Sequence, residues 1–287
     1  MTIVVTGASG FVGAALVRRL STDKMPTVAV GGPRGQKPEF DSAVTWISYR
    51  DDLADLASRI AEHKPTTVVH CATHYVLAHK PSDIEPMLGA NLHFGTQLLE
   101  SLGVLGTHFV NLSTFFQHQR TATGDPTSLY AASKLAFSSI ARWYGANTNI
   151  KVADLTLFDT YGPGDRRKKL IPSLLASAQS GETLRLHSAS AEVDLCYVDD
   201  VVSAIAQVMH GQLTGNWSVR SQQPVTVADI AREIESVTGR HVVSGFGDGI
   251  SVAELPADTP PLLAGWQPTV SLRDGITRCW EAIQAGS

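Results

Sequence analysis

The chain has 287 residues, 43% of them hydrophobic and 17% charged, with a net charge of −4. That length suits one large α/β domain or a main domain with a smaller lobe, and the acidic balance argues against a nucleic-acid surface. No apolar run reaches the length of a membrane span, and Cys71, Cys196 and Cys279 are too few and too scattered for a disulfide framework or a zinc site, which together favour a reducing, cytoplasmic setting.

The first predicted strand, residues 3–6, opens the chain without the basic flank of a signal peptide. It runs into Thr6-Gly7-Ala8-Ser9-Gly10-Phe11-Val12-Gly13 and then into an amphipathic helix over 10–20. Gly7, Gly10 and Gly13, spaced by three, allow a tight turn, close approach of a phosphate to the backbone, and close helix–strand packing. The helix N-terminus then presents free N–H groups and a partial positive charge to a pyrophosphate. The strand-then-helix context separates this turn from a glycine-rich β-turn with packing value alone.

The second strand, 27–30, ends in Val30-Gly31-Gly32-Pro33-Arg34. An acid there would accept a ribose 2′-hydroxyl, whereas a basic residue suits a 2′-phosphate. Arg34, with Lys37 as a second candidate, therefore favours NADP over NAD, against the reading of a solvated surface arginine. After the third strand, 44–48, Asp51 and Asp52 either meet the adenine amino group or cap the helix over 52–63. The fourth strand, 67–71, is followed by a long helix over 82–103. His70, His74 and His79 lack the carboxylate or cysteine spacing of a metal site, so no metal is expected.

The fifth strand, 107–112, leads into Ser113 and Thr114, at the strand end where parallel sheets meet their ligands. The helix over 128–145 carries Tyr130 and Lys134 four positions apart, on one face. An ammonium beside a phenol favours the phenolate, so such a tyrosine can give or take a proton at an alcohol or carbonyl oxygen. The Ser113/Thr114 hydroxyls can bind that same oxygen. These strands and the sixth, 151–157, are apolar runs without alternation, as expected of strands buried on both faces. The pattern predicts an α/β fold, a Rossmann-type doubly wound parallel sheet over residues 1–160 that binds a dinucleotide.

After residue 161 the rhythm breaks at Pro163, Gly164 and Pro172, and a basic run, Arg166 to Lys169, intervenes. Helices are expected near 172–180, 199–210, 226–238 and 272–285, strands near 184–187 and 216–219, and a loop over 242–264. Residues 161–287 read mainly as a smaller, substrate-binding C-terminal lobe, with segments interleaved into the main domain.

The ordered set of the Gly7–Gly13 turn, His70-Cys-Ala72, Asn91 with Gly95-Thr96, Tyr130/Lys134, Tyr161-Gly-Pro163 and Tyr197-Val-Asp-Asp200 resembles the extended short-chain dehydrogenase/reductases that act on nucleotide sugars. Asn111-Leu-Ser-Thr-Phe-Phe-Gln-His118, Leu129-Tyr-Ala-Ala-Ser-Lys134 and Leu157-Phe-Asp-Thr-Tyr-Gly-Pro-Gly-Asp165 look most like the CDP-abequose and CDP-paratose synthase branch, which reduces a 4-keto group on a nucleotide-linked 6-deoxyhexose. The resemblance implies that Phe11 and Val12 pack under the pyrophosphate, Ala72 lines the nicotinamide ribose, Asn91 anchors the cofactor side and Lys134 holds ribose hydroxyls. Phe158 would stack near the nicotinamide and Asp159 would contact the sugar nucleotide. Thr114, with Ser113 as fallback, would be the catalytic hydroxyl, touching substrate beside Tyr130. It also implies a homodimer seamed by the helices over 82–103 and 128–145.

Dehydratases of this group carry Asp and Glu directly after the catalytic threonine; here those positions hold Phe115 and Phe116, which cannot move protons. The absence of an acid after the second strand points to NADP and net reduction, leaving 4-epimerisation with retained NAD, or a non-catalytic redox-sensing dinucleotide binder, as alternatives. One departure stands out: the group's arginine before the aspartate at 194 is replaced by Val193. The diphosphate would then fall to Arg166, Arg167, Lys168, Lys169 or Arg185, or the substrate is not a nucleotide sugar.

Overall fold

The computed structural model describes residues 2–32, 44–48, 52–119, 125–249 and 255–286. It forms two compact units, a larger one of residues 1–157, 202–218 and 256–263 and a smaller one of residues 158–201, 219–255 and 264–287. Among the described residues, no helix is long and apolar enough to cross a membrane.

The larger unit runs β1 (Ile3–Thr6), α1 (Phe11–Thr22), β2 (Thr27–Gly31), β3 (Val44–Ser48), α2 (Leu53–Glu62), β4 (Thr67–His70), α3 (Pro81–Leu88), α4 (Phe94–Leu102), β5 (His108–Thr114), α5 (Leu129–Asn147) and β6 (Lys151–Leu157). The sheet order is Gly215–Val219, β6, β5, β4, β1, β2, β3. Every pairing from β3 through β6 is parallel. Strand order reverses between β1 and β4, which is the switch point of a doubly wound fold. The expected Rossmann-type sheet is therefore present. β1, β3 and β6 keep their expected bounds, while β5 runs on to Thr114, so the two hydroxyls belong to the strand itself.

β1, β2, β4 and β5 are buried along their whole length, whereas β3 at the sheet edge exposes Thr45 and Ser48. Val4, Val28, Val68 and Phe109 pack with Leu56, Ile60, Leu98, Leu102 and Phe137 in one core. Asp52 caps α2, its carboxylate accepting from the backbone N–H groups of Ala54 and Asp55, which settles the cap reading for that residue. Asp51, Arg34 and Lys37 lie outside the described residues.

Two local expectations need correction. The helix over 82–103 is divided by a π-helical segment, Gly89–His93, that widens the turn and carries Asn91 to a buried position. The loop over 242–264 contains a strand, Val243–Phe246, paired in parallel with Leu184–Leu186. Its partner lies far off in sequence, and a register shift at Gly245 obscures any period-two pattern.

In the smaller unit, Asp159–Tyr161 pairs in parallel with Leu195–Tyr197, and Glu192–Val193 pairs antiparallel with Val225–Thr226. Asp200 accepts from the backbone N–H groups of Thr269 and Val270 and from the Thr269 hydroxyl. That carboxylate fixes the approach to the closing helix Leu272–Ala285.

Candidate active site

The glycine turn is shaped by contacts that leave no room for side chains. Gly7 has φ +64°, and a Cβ there would lie 2.6 Å from the Ala72 nitrogen. A Cβ on Gly13 would lie 2.3 Å from the Gly7 carbonyl oxygen. α1 starts at Phe11 with Gly10 as its N-cap, no capping side chain and no acid in its first turn. With no carboxylate in its first turn, the positive end of the helix suits an anionic phosphate.

β1 and β4 are tied at the switch point. The Thr6 hydroxyl lies 2.9 Å from His70 Nδ1 and accepts from the Ala72 N–H at 3.3 Å. His70 sits among the rings of Phe94, Phe109 and Phe137. Burial, reinforced by the Lys134 charge, pushes its pKa down to about 3, so the ring is neutral at working pH. Among the described residues no group of three or more His, Cys, Asp or Glu could hold a metal ion.

Asn91 joins three elements. Its carbonyl accepts from the Thr73 hydroxyl at 3.0 Å and the His74 N–H at 2.7 Å, while its amide donates to the His74 carbonyl and, at 2.9 Å, to Ser133 Oγ. Both lone pairs and both amide hydrogens are engaged inside the protein. Asn91 thereby holds the segment after β4 against α5.

α5 begins where Ser128 accepts from the Ala131 N–H, so Tyr130 lies in its first turn. Tyr130 is 6% exposed and meets Tyr75 edge-on at 5.0 Å between ring centroids. Lys134, buried one turn on, donates from Nζ to the Leu112 carbonyl of β5 at 2.7 Å. This bond lays α5 against the strand two residues before Thr114. Thr114 Oγ1 accepts from the Phe116 N–H, while Ser113 Oγ lies 3.2 Å from Thr156 Oγ1. Thr114, Tyr130 and Lys134 therefore share one unit and one end of its sheet, and Ser113 is engaged on the neighbouring strand.

One residue beneath the site went unrecognised in the sequence. Thr6, His70, Asn111 and Asp154 are register partners across β1, β4, β5 and β6, a polar row within the sheet. Asp154 is buried and accepts from Asn111 Nδ2 at 3.2 Å. Burial pushes Lys134 down to about 8, and the Asp154 carboxylate, then Cys71, oppose that fall. Burial raises the Cys71 thiol to about 12, so it is neutral at working pH, and Asp154 is the standing counter-charge. The available signal was an aspartate amid the apolar residues Val152, Ala153 and Leu155 of β6, a placement that requires a partner.

In the smaller unit Phe158 is buried and half-buried Asp159 takes an ion pair from Lys169 at 2.7 Å. Arg167 is held by Asp165 and the Thr160 carbonyl, Arg166 is exposed, and Arg185 donates to the Phe246 carbonyl.

The NAD dependent epimerase/dehydratase family matches residues 3–216, and the chain belongs to that family, as its motifs led us to expect. The CDP-abequose synthase of Salmonella muenchen is 25% identical over 286 residues, spanning 96% of this chain and 96% of its own. The dTDP-4-dehydro-6-deoxyglucose reductase of Escherichia coli is 24% identical over 309 residues, spanning 98% and 97%. Among solved structures, UDP-glucuronic acid 4-epimerase from Bacillus cereus, in complex with UDP-glucuronic acid and NAD, superposes with a TM-score of 0.84 at 22% identity and full coverage of both chains. The NAD complex of UDP-glucose 4-epimerase from Thermus thermophilus gives 0.82, also at 22% and full coverage of both. At that identity these structures establish the fold.

Proposed function

We propose that the protein is an NADPH-dependent reductase of the 4-keto group of a nucleotide-linked 4-keto-6-deoxyhexose. The observation that carries this reading is the Lys134–Leu112 bond, which sets Tyr130 and Lys134 beside the end of β5 that carries Thr114. The tight turn through Gly7 and Gly13 into the N-terminus of α1, which has no capping side chain and no acid in its first turn, fits a dinucleotide pyrophosphate. When bound, the reduced nicotinamide supplies a hydride to the carbonyl carbon. Tyr130 donates the phenolic proton to the carbonyl oxygen, the Thr114 hydroxyl orients that oxygen, and the Lys134 charge favours the phenolate left behind.

Phe115 and Phe116 support reduction over dehydration, because no proton-transferring carboxyl follows Thr114 directly. Arg34, after an acid-free end to β2, supports NADP. The named activities of the Salmonella and Escherichia relatives support the substrate class. Mixing the protein with NADPH and a nucleoside-diphospho-4-keto-6-deoxyglucose should bleach the nicotinamide band in a single turnover. No oxidation across several such sugars would sink the proposal. The 4-epimerase reading keeps one support, the NAD complexes of the similar epimerase structures; cofactor retained through purification would favour it. The working unit is proposed to be a homodimer, for which Trp143, 58% exposed on α5, offers an apolar contact.

Asp154→Asn tests the proton chemistry. Removing the carboxylate leaves burial of Lys134 less opposed, so its pKa falls below about 8. If the cationic lysine is required, the alkaline limb of the kcat–pH profile moves to lower pH. A limb in its original place would show that Asp154 does not set the lysine's charge.

A further inference from the structure

Tyr75 lies in the segment after β4, where residues 71–76 form neither helix nor strand. Asn91 supplies the bonds that a ladder would. Its carbonyl accepts from the His74 N–H at 2.7 Å and its amide donates to the His74 carbonyl at 3.3 Å, so both backbone polar groups of the residue before Tyr75 are held. The Thr73 hydroxyl donates to the same asparagine carbonyl at 3.0 Å. The partly buried Tyr75 is thereby presented from a pinned backbone.

The same asparagine reaches Tyr130 from the other side. Its amide donates to Ser133 Oγ at 2.9 Å, and the Ser133 hydroxyl donates to the Tyr130 carbonyl at 2.8 Å. One hydroxyl accepts from Asn91 and gives its only hydrogen to Tyr130. The rings of Tyr75 and Tyr130 then meet at 5.0 Å between centroids and 85° between planes. That falls inside the range of about 4.5–7 Å over which edge-to-face aromatic pairs attract. The contacts close a loop through Asn91, His74, Tyr75, Tyr130 and Ser133, all within the larger unit. One half of the loop sets the Tyr130 backbone, and the other half sets its ring. The phenol oxygen stands at the far end of that ring, so a small turn at the first side-chain torsion displaces it more than any other atom of the residue.

We propose that Tyr75 is a positioning residue whose ring fixes the angle at which Tyr130 offers its phenol to the substrate carbonyl. This rests on the reading above, in which Tyr130 is the proton donor. The test is steady-state turnover of NADPH with CDP-, UDP- and dTDP-4-keto-6-deoxyglucose, beside NADPH affinity by fluorescence titration, for the full chain and for Tyr75→Ala, Tyr75→Leu and Tyr75→Phe. Tyr75→Ala should lower kcat by about ten- to a hundredfold, the scale for a reacting group misplaced by about 1 Å, with KM for the sugar and NADPH affinity unchanged. Tyr75→Leu keeps bulk without an aromatic edge, so it should show the same loss and serves if the alanine variant does not fold. Tyr75→Phe keeps the ring and should return kcat to the wild-type value. A loss in Tyr75→Phe as large as in Tyr75→Ala would assign the effect to the hydroxyl and overturn the proposal. A fall in NADPH binding that accounts for the lost turnover would make Tyr75 structural and overturn it too. Wild-type kcat in Tyr75→Ala or Tyr75→Leu, with Tyr130→Phe inactive, would overturn it while leaving the reductase reading intact. A wild-type protein that turns over none of the three sugars would overturn both.

Discussion

Tyr130→Phe is expected to lower kcat by roughly 10²- to 10⁴-fold, the range for losing a positioned general acid, with little change in dinucleotide affinity. The substitution deletes one oxygen. The ring that meets Tyr75 edge-on remains, as do its burial and its place in the first turn of α5. Nothing in the Asn91–Ser133 contact or the Lys134–Leu112 bond depends on the phenol oxygen. A loss confined to kcat therefore assigns the proton to Tyr130. Near-normal turnover would remove the tyrosine from the mechanism, and a parallel loss of NADPH binding would make its role structural. The same variant separates an enzyme from a redox-sensing binder, since a sensor would keep its response to NADPH.

The parts of this site that were legible in the sequence are local. Tyr130 and Lys134 share a helix face because of spacing alone, and the glycine turn announces itself by strand, glycines and helix in succession. Strands such as β1, β2 and β4 were visible because runs buried on both faces stay apolar. What remained hidden depends on distant partners. Lys134 bonds Leu112 across 22 positions. The π-helical turn around Asn91 exists to serve contacts with residues 73, 74 and 133, which helical periodicity cannot register. The strand Val243–Phe246 pairs with residues some sixty positions earlier, and its short Gly-containing stretch reads as loop until that partner is known.

Alanine at each glycine of the first turn should separate fold from cofactor binding. At Gly13 the new Cβ meets the Gly7 carbonyl oxygen at 2.3 Å and the Gly7 carbonyl carbon at 2.9 Å. These are backbone atoms, so α1 itself must move away from the turn, and overpacking of this kind costs about 1–3 kcal/mol or more. Gly7→Ala faces both the Ala72 backbone at 2.6 Å and a φ of +64°, a left-handed conformation that adds about 1–2 kcal/mol for a residue with a Cβ. Gly10 differs: among the described residues its Cβ would meet only the Gly7 oxygen, 3.1 Å away, which a shift of a few tenths of an ångström relieves. Chemical denaturation should therefore show clear destabilisation for Gly7→Ala and Gly13→Ala and a small effect for Gly10→Ala. On the proposed reading NADPH affinity should fall in all three variants, because a methyl group on Gly10 would stand where a phosphate would approach the helix N-terminus. A Gly10→Ala protein with wild-type stability and wild-type NADPH affinity would place the pyrophosphate elsewhere and reduce the glycine spacing to packing alone.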